Sequence, residues 1–327
     1  MWPGLPTRER GMVTVGVDLG GTNIQVMVLD PDDARRGWAK MRTPVGGNKV
    51  HILEVMDAAI HAALGDAEVS IDDVTAIGVG TPGVVIDGTV GGAANVPGWF
   101  DRFSLRDGLQ DRVHKPVRVI NDVTAAAAAE HQHGAGRGYD NVFVVFVGTG
   151  VGGGLVLNGV PYEGSVGGAG EFGHTVVGMG GAMCPCGRRG CVEAYAGRRS
   201  MENAVERAIA AGEPTIVPSL VEQRGVDRIT SGVIRDALAK GDPLVANLVD
   251  DCVAALGAGI ASAVNLLDVE AVVLGGGLSD KLGPQFLRRV EAAMRPNLFL
   301  VPARVRVFAA TLGDESGALG AALIART

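Results

Sequence analysis

The stretch Val15–Asp30 reads VGVDLGGTNIQVMVLD, and Val144–Leu157 reads VVFVGTGVGGGLVL. Each is an apolar run, a glycine-threonine turn and a second apolar run, the pattern of a β-hairpin. Around the first copy, residues 12–19 and 23–30 are expected strands, with Trp38–Thr43 a third. Ile52, Leu53, Met56, Ile60, Ala63 and Leu64 then recur at helical spacing. Val74–Val79 and Val117–Ile120 follow as strands, and Val123–His131 as a helix that Asn121 or Asp122 can cap. After the second copy, helices are expected over about 198–212 and 230–267 and a buried strand over 271–274 running into Gly275-Gly276-Gly277. Further helices are expected near 284–295 and 315–325. A figure repeated in this way implies two α/β domains of one plan.

A chain of 327 residues has room for both domains and their cores. With 47% apolar and 20% charged residues it reads as compact and globular. Its 50 glycines are about twice the usual share, which calls for many tight turns and close backbone approaches. Aromatic residues, at 4%, are too few for a platform that stacks single-stranded nucleic acid. A net charge of −7 disfavours a polyanionic partner. Residues 1–11 lack the apolar segment of a signal peptide. The apolar, uncharged run Cys252–Leu267 has sixteen residues, short of the roughly 20 that span a membrane. No nucleic acid and no membrane are expected as partners, and the expected location is cytoplasmic.

Gly78–Gly83 and Gly148–Gly153 both satisfy G-x-G-x-x-G. A dinucleotide site needs a helix directly after such a turn, and here strand-like sequence follows both. A Walker A loop is excluded because the chain has no Gly-Lys dipeptide. The remaining chemistry is an anion-binding concavity, in which successive backbone N–H groups and a threonine hydroxyl meet phosphate oxygens. Two such turns, one preceded by Asp18, suit a polyphosphate gripped from two sides better than two ordinary hairpins.

This arrangement resembles the superfamily of sugar kinases, actin and heat-shock chaperones, built from two ribonuclease-H-like domains flanking a cleft. The resemblance implies a nucleotide site formed by Asp18, Gly20, Gly21, Thr22 and Asn23, by Gly148, Thr149 and Gly150, and by Gly275, Gly276 and Gly277. It also implies a smaller domain over 1–121 plus 313–327 and a larger one over 122–312.

The segment 168–197, GAGEFGHTVVGMGGAMCPCGRRGCVEAYAG, supplies one imidazole and three thiols, from His174, Cys184, Cys186 and Cys191. That is a tetrahedral zinc set, with Gly187 and Gly190 letting the backbone bend around one ion. A disulfide between residues two apart would be strained. A structural role is expected, tying a loop with little core of its own. Cys252, alone in an apolar helix, reads as inert core.

The E-x-G-H and C-x-C-G-x-x-G-C-x-E patterns resemble the ROK family (repressors, open reading frames, kinases), and within it the bacterial glucokinases, over nearly the whole chain. The resemblance implies phosphorylation of glucose to glucose 6-phosphate with ATP, Mg2+ and a structural Zn2+, in a homodimer or homotetramer. It makes Asp122 the catalytic base and gives the sugar to Gly83, Asn95, Asn121, Asp122, Glu171, His174 and Glu193. His174 then has two tasks, one ring nitrogen on the metal and the other toward the sugar. On the residues alone, Asp122 could be a plain helix cap, and Glu171 and Glu193 surface charges. The chain departs from the family pattern at Val96, Val123-Thr124 and Pro185, none of which removes a functional group. A kinase for mannose, fructose or an N-acetylhexosamine, and a polyphosphate-dependent glucokinase, are the alternatives. With the first strand expected near residue 12, no helix-turn-helix is expected ahead of it, which argues against a repressor. A catalytically dead sugar-binding protein is disfavoured because Asp18, Thr149 and Asp122 are all present.

Overall fold

The computed structural model describes residues 12–44, 46, 48–92, 102–301 and 304–326. They form two compact units, one from residues 1–132, 161–169 and 314–327, the other from 133–160 and 170–313.

In the first unit, β1 (Val13–Leu19), β2 (Asn23–Leu29) and β3 (Arg35–Arg42) make an antiparallel meander, followed by helix α1 (Lys49–Asp66). Strand β4 (Val74–Thr81) leads to a small sheet of β5 (Val84–Ile86), β6 (Thr89–Gly91) and β7 (Phe103–Ser104). Helix α2 (Leu105–Val113), β8 (Val117–Asn121) and α3 (Asp122–Gln132) complete this part of the chain. β4 and β8 run parallel to β1, giving the order β3-β2-β1-β4-β8. β1 is almost wholly buried, as expected of a strand with helices over both faces. Val15, Val28 and Gly37 stand across from one another on one face, where a side chain on Gly37 would collide with the backbone of α1. Gly16 belongs to the opposite face.

The second unit repeats the plan. β9 (Val142–Val147) and β10 (Val151–Leu157) form the hairpin, with the short β11 (Val160–Pro161) at its edge. Helices α4 (Val192–Ala196), α5 (Arg198–Ala210), α6 (Val217–Gln223), α7 (Ser231–Ala239) and α8 (Pro243–Leu267) follow. Then come β12 (Ala271–Gly275), α9 (Gly277–Met294) and β13 (Arg306–Ala309). β12 is parallel to β9 and β13 to β12, in the order β11-β10-β9-β12-β13. An antiparallel hairpin extended by two parallel strands thus occurs twice, and the chain is a pair of ribonuclease-H-like domains. Cys252, Leu256 and Ile260 of α8 lie in one apolar cluster with Phe143, Val145 and Val147 of the sheet.

Helix α10 (Ser316–Ile324) returns to the first unit. A Cβ on Gly16 would lie 1.9 Å from the Ala318 carbonyl, and one on Gly78 1.8 Å from that of Ala321. A Cβ on Gly320 would lie 1.7 Å from the Ala125 carbonyl of α3. Only hydrogen fits between these backbones. This explains the run Ala125–Ala129, buried throughout against α10.

Three expectations differ from the structure. The helix expected over 230–267 is two helices, because Gly241 takes a left-handed φ of 75° and Pro243 opens α8 with Asp242 as its cap. Asp242 accepts from the N–H groups of Val245 and Ile216 and from the Thr215 hydroxyl, which holds its carboxyl below the usual range despite its burial. Helix α8 reaches 25 residues because Asp250 and Asp251 do not end it, so by length and composition it could cross a membrane; here it is mostly buried in the core of its unit. Finally, α3 and residues 161–169 belong to the compact unit of the first sheet, whereas the sequence reading drew its boundary between 121 and 122. The reason is the packing of α3 on α10 and β4.

Candidate active site and metal centre

The first glycine turn closes between Leu19 and Ile24, with the Gly20 N–H donating to the Asn23 carbonyl at 3.0 Å. Buried Thr43 braces it from β3's end. Its hydroxyl donates to the Gly20 carbonyl at 2.6 Å and its N–H to that of Thr22 at 3.0 Å. Gly21 and Thr22 are left exposed.

Asp18 sits at the foot of this turn against the start of α10, where a Cβ on Gly317 would come within 2.7 Å of its Cγ. Burial, then the charges of Asp122 and Asp314, push its carboxyl up to about 7, with Lys40 acting in the opposite direction. Asp18 is therefore poised to take up a proton or a cation near neutral pH.

Asn121 caps α3. Its Oδ1 accepts from the N–H groups of Val123 at 2.9 Å and Thr124 at 3.2 Å, and its Nδ2 donates to the Gly83 carbonyl at 3.3 Å. Gly83 needs its positive φ of 93° to present that carbonyl. The cap and the T-P-G loop together hold Asp122, the first residue of α3, at the end of β8. The alternative of Asp122 as the cap gives way to Asn121, although Asp122 Oδ1 also accepts from the Val123 N–H at 2.9 Å. Gly83, Asn121, Asp122 and Asp18 all belong to the first unit. Asn95 lies outside the described residues.

The second glycine turn closes between Val147 and Val151, with the Gly148 N–H donating to the Gly150 carbonyl at 2.9 Å. Two elements far along the chain support it. Glu193 of α4 accepts the Val151 N–H through Oε2 at 2.8 Å, and a Cβ on Gly150 would strike that oxygen. The N–H groups of Arg198 and Arg199, opening α5, donate to the carbonyls of Gly148 at 3.0 Å and Thr149 at 3.1 Å. At the third glycine site, Gly275 ends β12 against Phe146 and Ala310, and Gly276, at φ 91°, precedes the N-terminus of α9.

His174, Cys184, Cys186 and Cys191 present four ligand atoms within 4.8 Å of one another, a set that could hold a metal ion. Cys184 Sγ lies 3.8 Å from His174 Nδ1, and Cys186 Sγ lies 3.8 Å from Cys191 Sγ. Sulfurs about 2.3 Å from one tetrahedral ion would stand about 3.8 Å apart, so these spacings fit a shared ion. The knuckle follows from its glycines. The Gly187 N–H donates to the Cys184 carbonyl at 2.9 Å, and Gly190, at φ 80°, passes so close to the Gly178 carbonyl that any side chain would clash. Burial pushes the Cys184 thiol up to about 12, so its thiolate needs a cation. The other ring nitrogen, His174 Nε2, faces Glu171 Oε2 at 3.9 Å. The imidazole therefore stands between the sulfur cluster and Glu171.

Sequence reasoning did not reach Thr43, Gly317 or Arg198. Each acts on a glycine turn or its carboxylate from a segment remote in sequence, and none carries a local motif.

The sequence profile of the ROK family matches residues 14–327. A glucokinase of Streptomyces coelicolor is 35% identical over 321 residues, covering 96% of this chain and 98% of the relative. An N-acetylmannosamine kinase of Yersinia pestis is 33% identical over 317 residues, covering 96% and 98%. The solved ROK glucokinase of Streptomyces griseus, in complex with glucose and AMPPNP, superposes with a TM-score of 0.79 at 36% identity, covering 96% of this chain and 99% of the other.

Proposed function

The chain belongs to the ROK family, and from that premise we propose that it is a cytoplasmic, ATP-dependent glucokinase that forms glucose 6-phosphate and ADP. The observation that carries this reading is Asp122 at the start of α3, near enough to Asp18 for its charge to raise that carboxyl. A carboxylate beside a phosphate-binding turn is what phosphoryl transfer to an alcohol requires.

In this mechanism the backbone N–H groups of Gly21 and Thr22, and those of Thr149 and Gly150, take phosphates of MgATP, and the glycines 275–277 take the adenosine side. The Mg2+ bound with the nucleotide would supply charge neutralisation to the phosphates. The sugar O6 attacks the γ-phosphorus, the bond to the ADP oxygen breaks, and Asp122 accepts the hydroxyl proton as the new P–O bond forms. Asn121 fixes Asp122 through the cap and the Gly83 carbonyl. Glu171, His174 and the Oε1 of Glu193 orient sugar hydroxyls, with Asn95 completing the set. Glu193 then serves two ends, because its Oε2 supports the nucleotide turn.

The ion that fits this set of one imidazole and three thiolates is Zn2+, which would be structural: four protein donors fill a tetrahedron and leave no open position for chemistry. Held there, it would fix the His174 ring and so the direction of Nε2 toward the sugar.

The second reading is an N-acetylmannosamine kinase, favoured by the similarity to the Yersinia pestis enzyme. A coupled ADP-release assay with glucose, mannose, fructose, N-acetylglucosamine and N-acetylmannosamine separates the two. Highest kcat/KM on glucose supports the first, highest on an N-acetylated sugar supports the second, and turnover of none refutes both.

A further inference from the structure

Arg198 is 8% exposed, although arginine is rarely buried without a matched carboxylate. Its guanidinium reaches three groups: the Thr149 hydroxyl from Nη2 at 3.0 Å, and from Nη1 the Ile229 carbonyl at 3.1 Å and Glu202 Oε2 at 3.4 Å. Glu202 is shared, because its Oε1 accepts the Ile229 N–H. Arg199 and Arg228 add positive charge nearby, and they join burial in lowering the Arg198 pKa. The cation is paired with Glu202 and lies behind a glycine turn.

The contact with Thr149 has a directional consequence. A guanidinium only donates, so Thr149 Oγ1 must accept from it. The single hydroxyl proton is then left to be donated, and among the described residues no protein acceptor takes it. A threonine on an unsupported turn could rotate its hydroxyl freely, whereas this one is fixed as a donor. The backbone bonds from Arg198 and Arg199 to the carbonyls of Gly148 and Thr149 fix the turn itself.

We propose that Arg198 is a positioning residue, which presets the Thr149 hydroxyl as a donor to an oxyanion of the nucleotide's phosphates. This rests on the nucleotide reading of the second turn. It gives α5 a part in donor binding and leaves the sugar groups untouched.

The test is a double-mutant cycle on the full chain, with Arg198→Gln, Thr149→Val and the double variant, and Arg198→Lys as the conservative change. Binding of MgAMPPNP and of glucose is measured by calorimetry, and steady-state KM for both substrates beside it. Each single variant should weaken MgAMPPNP about 10- to 30-fold. The double variant should be no weaker than Thr149→Val by more than about twofold, since the arginine acts through the threonine. Arg198→Lys should recover part of the loss. Glucose affinity should stay within about twofold throughout, which separates positioning from general loosening. Multiplicative losses in the double variant, or unchanged nucleotide affinity in Arg198→Gln, would overturn the proposal. If Arg198→Gln does not fold, Thr149→Val and Arg198→Lys still decide it: both must lose nucleotide affinity with glucose affinity intact. A wild type that binds MgAMPPNP but phosphorylates no sugar refutes the glucokinase reading while the cycle still reads out here. A wild type that binds no nucleotide sinks both.

Discussion

Replacing Asp18 by asparagine should make the ligand-free protein more stable in mild alkali. The carboxyl lies against the start of α10, and burial with the charges of Asp122 and Asp314 lifts it from an ordinary 3.8 to about 7. An acid raised in the folded state holds its proton more tightly there than in the unfolded chain. Its contribution to stability is therefore greatest below pH 4, falls as pH climbs from about 4 to about 7, and is fully lost above that. At about 1.4 kcal/mol per pH unit, the loss has a ceiling of about 4 kcal/mol. Asp18 keeps some accessible surface, so about 2 kcal/mol is the working figure. Asparagine has the same shape and carries no charge. Urea unfolding at pH 8.5 and pH 5, followed by tryptophan fluorescence, to which Trp38 on β3 contributes, measures the difference. The variant should exceed wild type by about 2 kcal/mol or more at pH 8.5, and by measurably less at pH 5. An equal gain at both pH values, or a loss at pH 8.5, would refute the electrostatic account of this site.

Asp122→Ala should lower kcat by about a thousandfold while glucose affinity changes by less than about tenfold, and a kcat near wild type would remove Asp122 as base. Cys186→Ser should reduce bound zinc, measured by elemental analysis, to under about half an equivalent and lower the unfolding midpoint by about 5 °C or more. Full retention of both would argue against a structural metal. Gly320→Ala should destabilise the first unit by about 2–4 kcal/mol, because its Cβ would sit 1.7 Å from the Ala125 carbonyl. Gly65→Ala in α1, where a Cβ meets nothing within 4 Å, should instead add up to about 1 kcal/mol in the same melt.

Those parts of the molecule that depend on neighbours in sequence were legible in advance. The two hairpins, the cap at Asn121 and the cluster of His174 with three cysteines each lie within one short segment whose residue types have few other uses. The Gly-Asp-Pro break at 241–243 was legible too, but the apolar periodicity running through it was read as a single helix. Long-range closures were not legible. Nothing near Asp18 in sequence announces Gly317 beneath it, and nothing near Thr149 announces Arg198, 49 positions away. The residues of α3 and α10 predict helices and nothing about their partners. That they meet backbone to backbone, and so carry residues 122–132 into the first unit, depends on a contact spanning most of the chain.

The seating of α10 between β1, β4 and α3 also sets the order in which the molecule can assemble during translation. The first unit cannot complete its interior until residues 316–324 have left the ribosome, by which time the second unit has emerged in full. At elongation speeds of about 5–20 residues per second, the N-terminal sheet waits roughly 10–40 s with its Gly16 and Gly78 face bare. During that wait the nascent sheet is open to chaperones and to neighbouring chains, and α10 acts as the latch that ends the exposure.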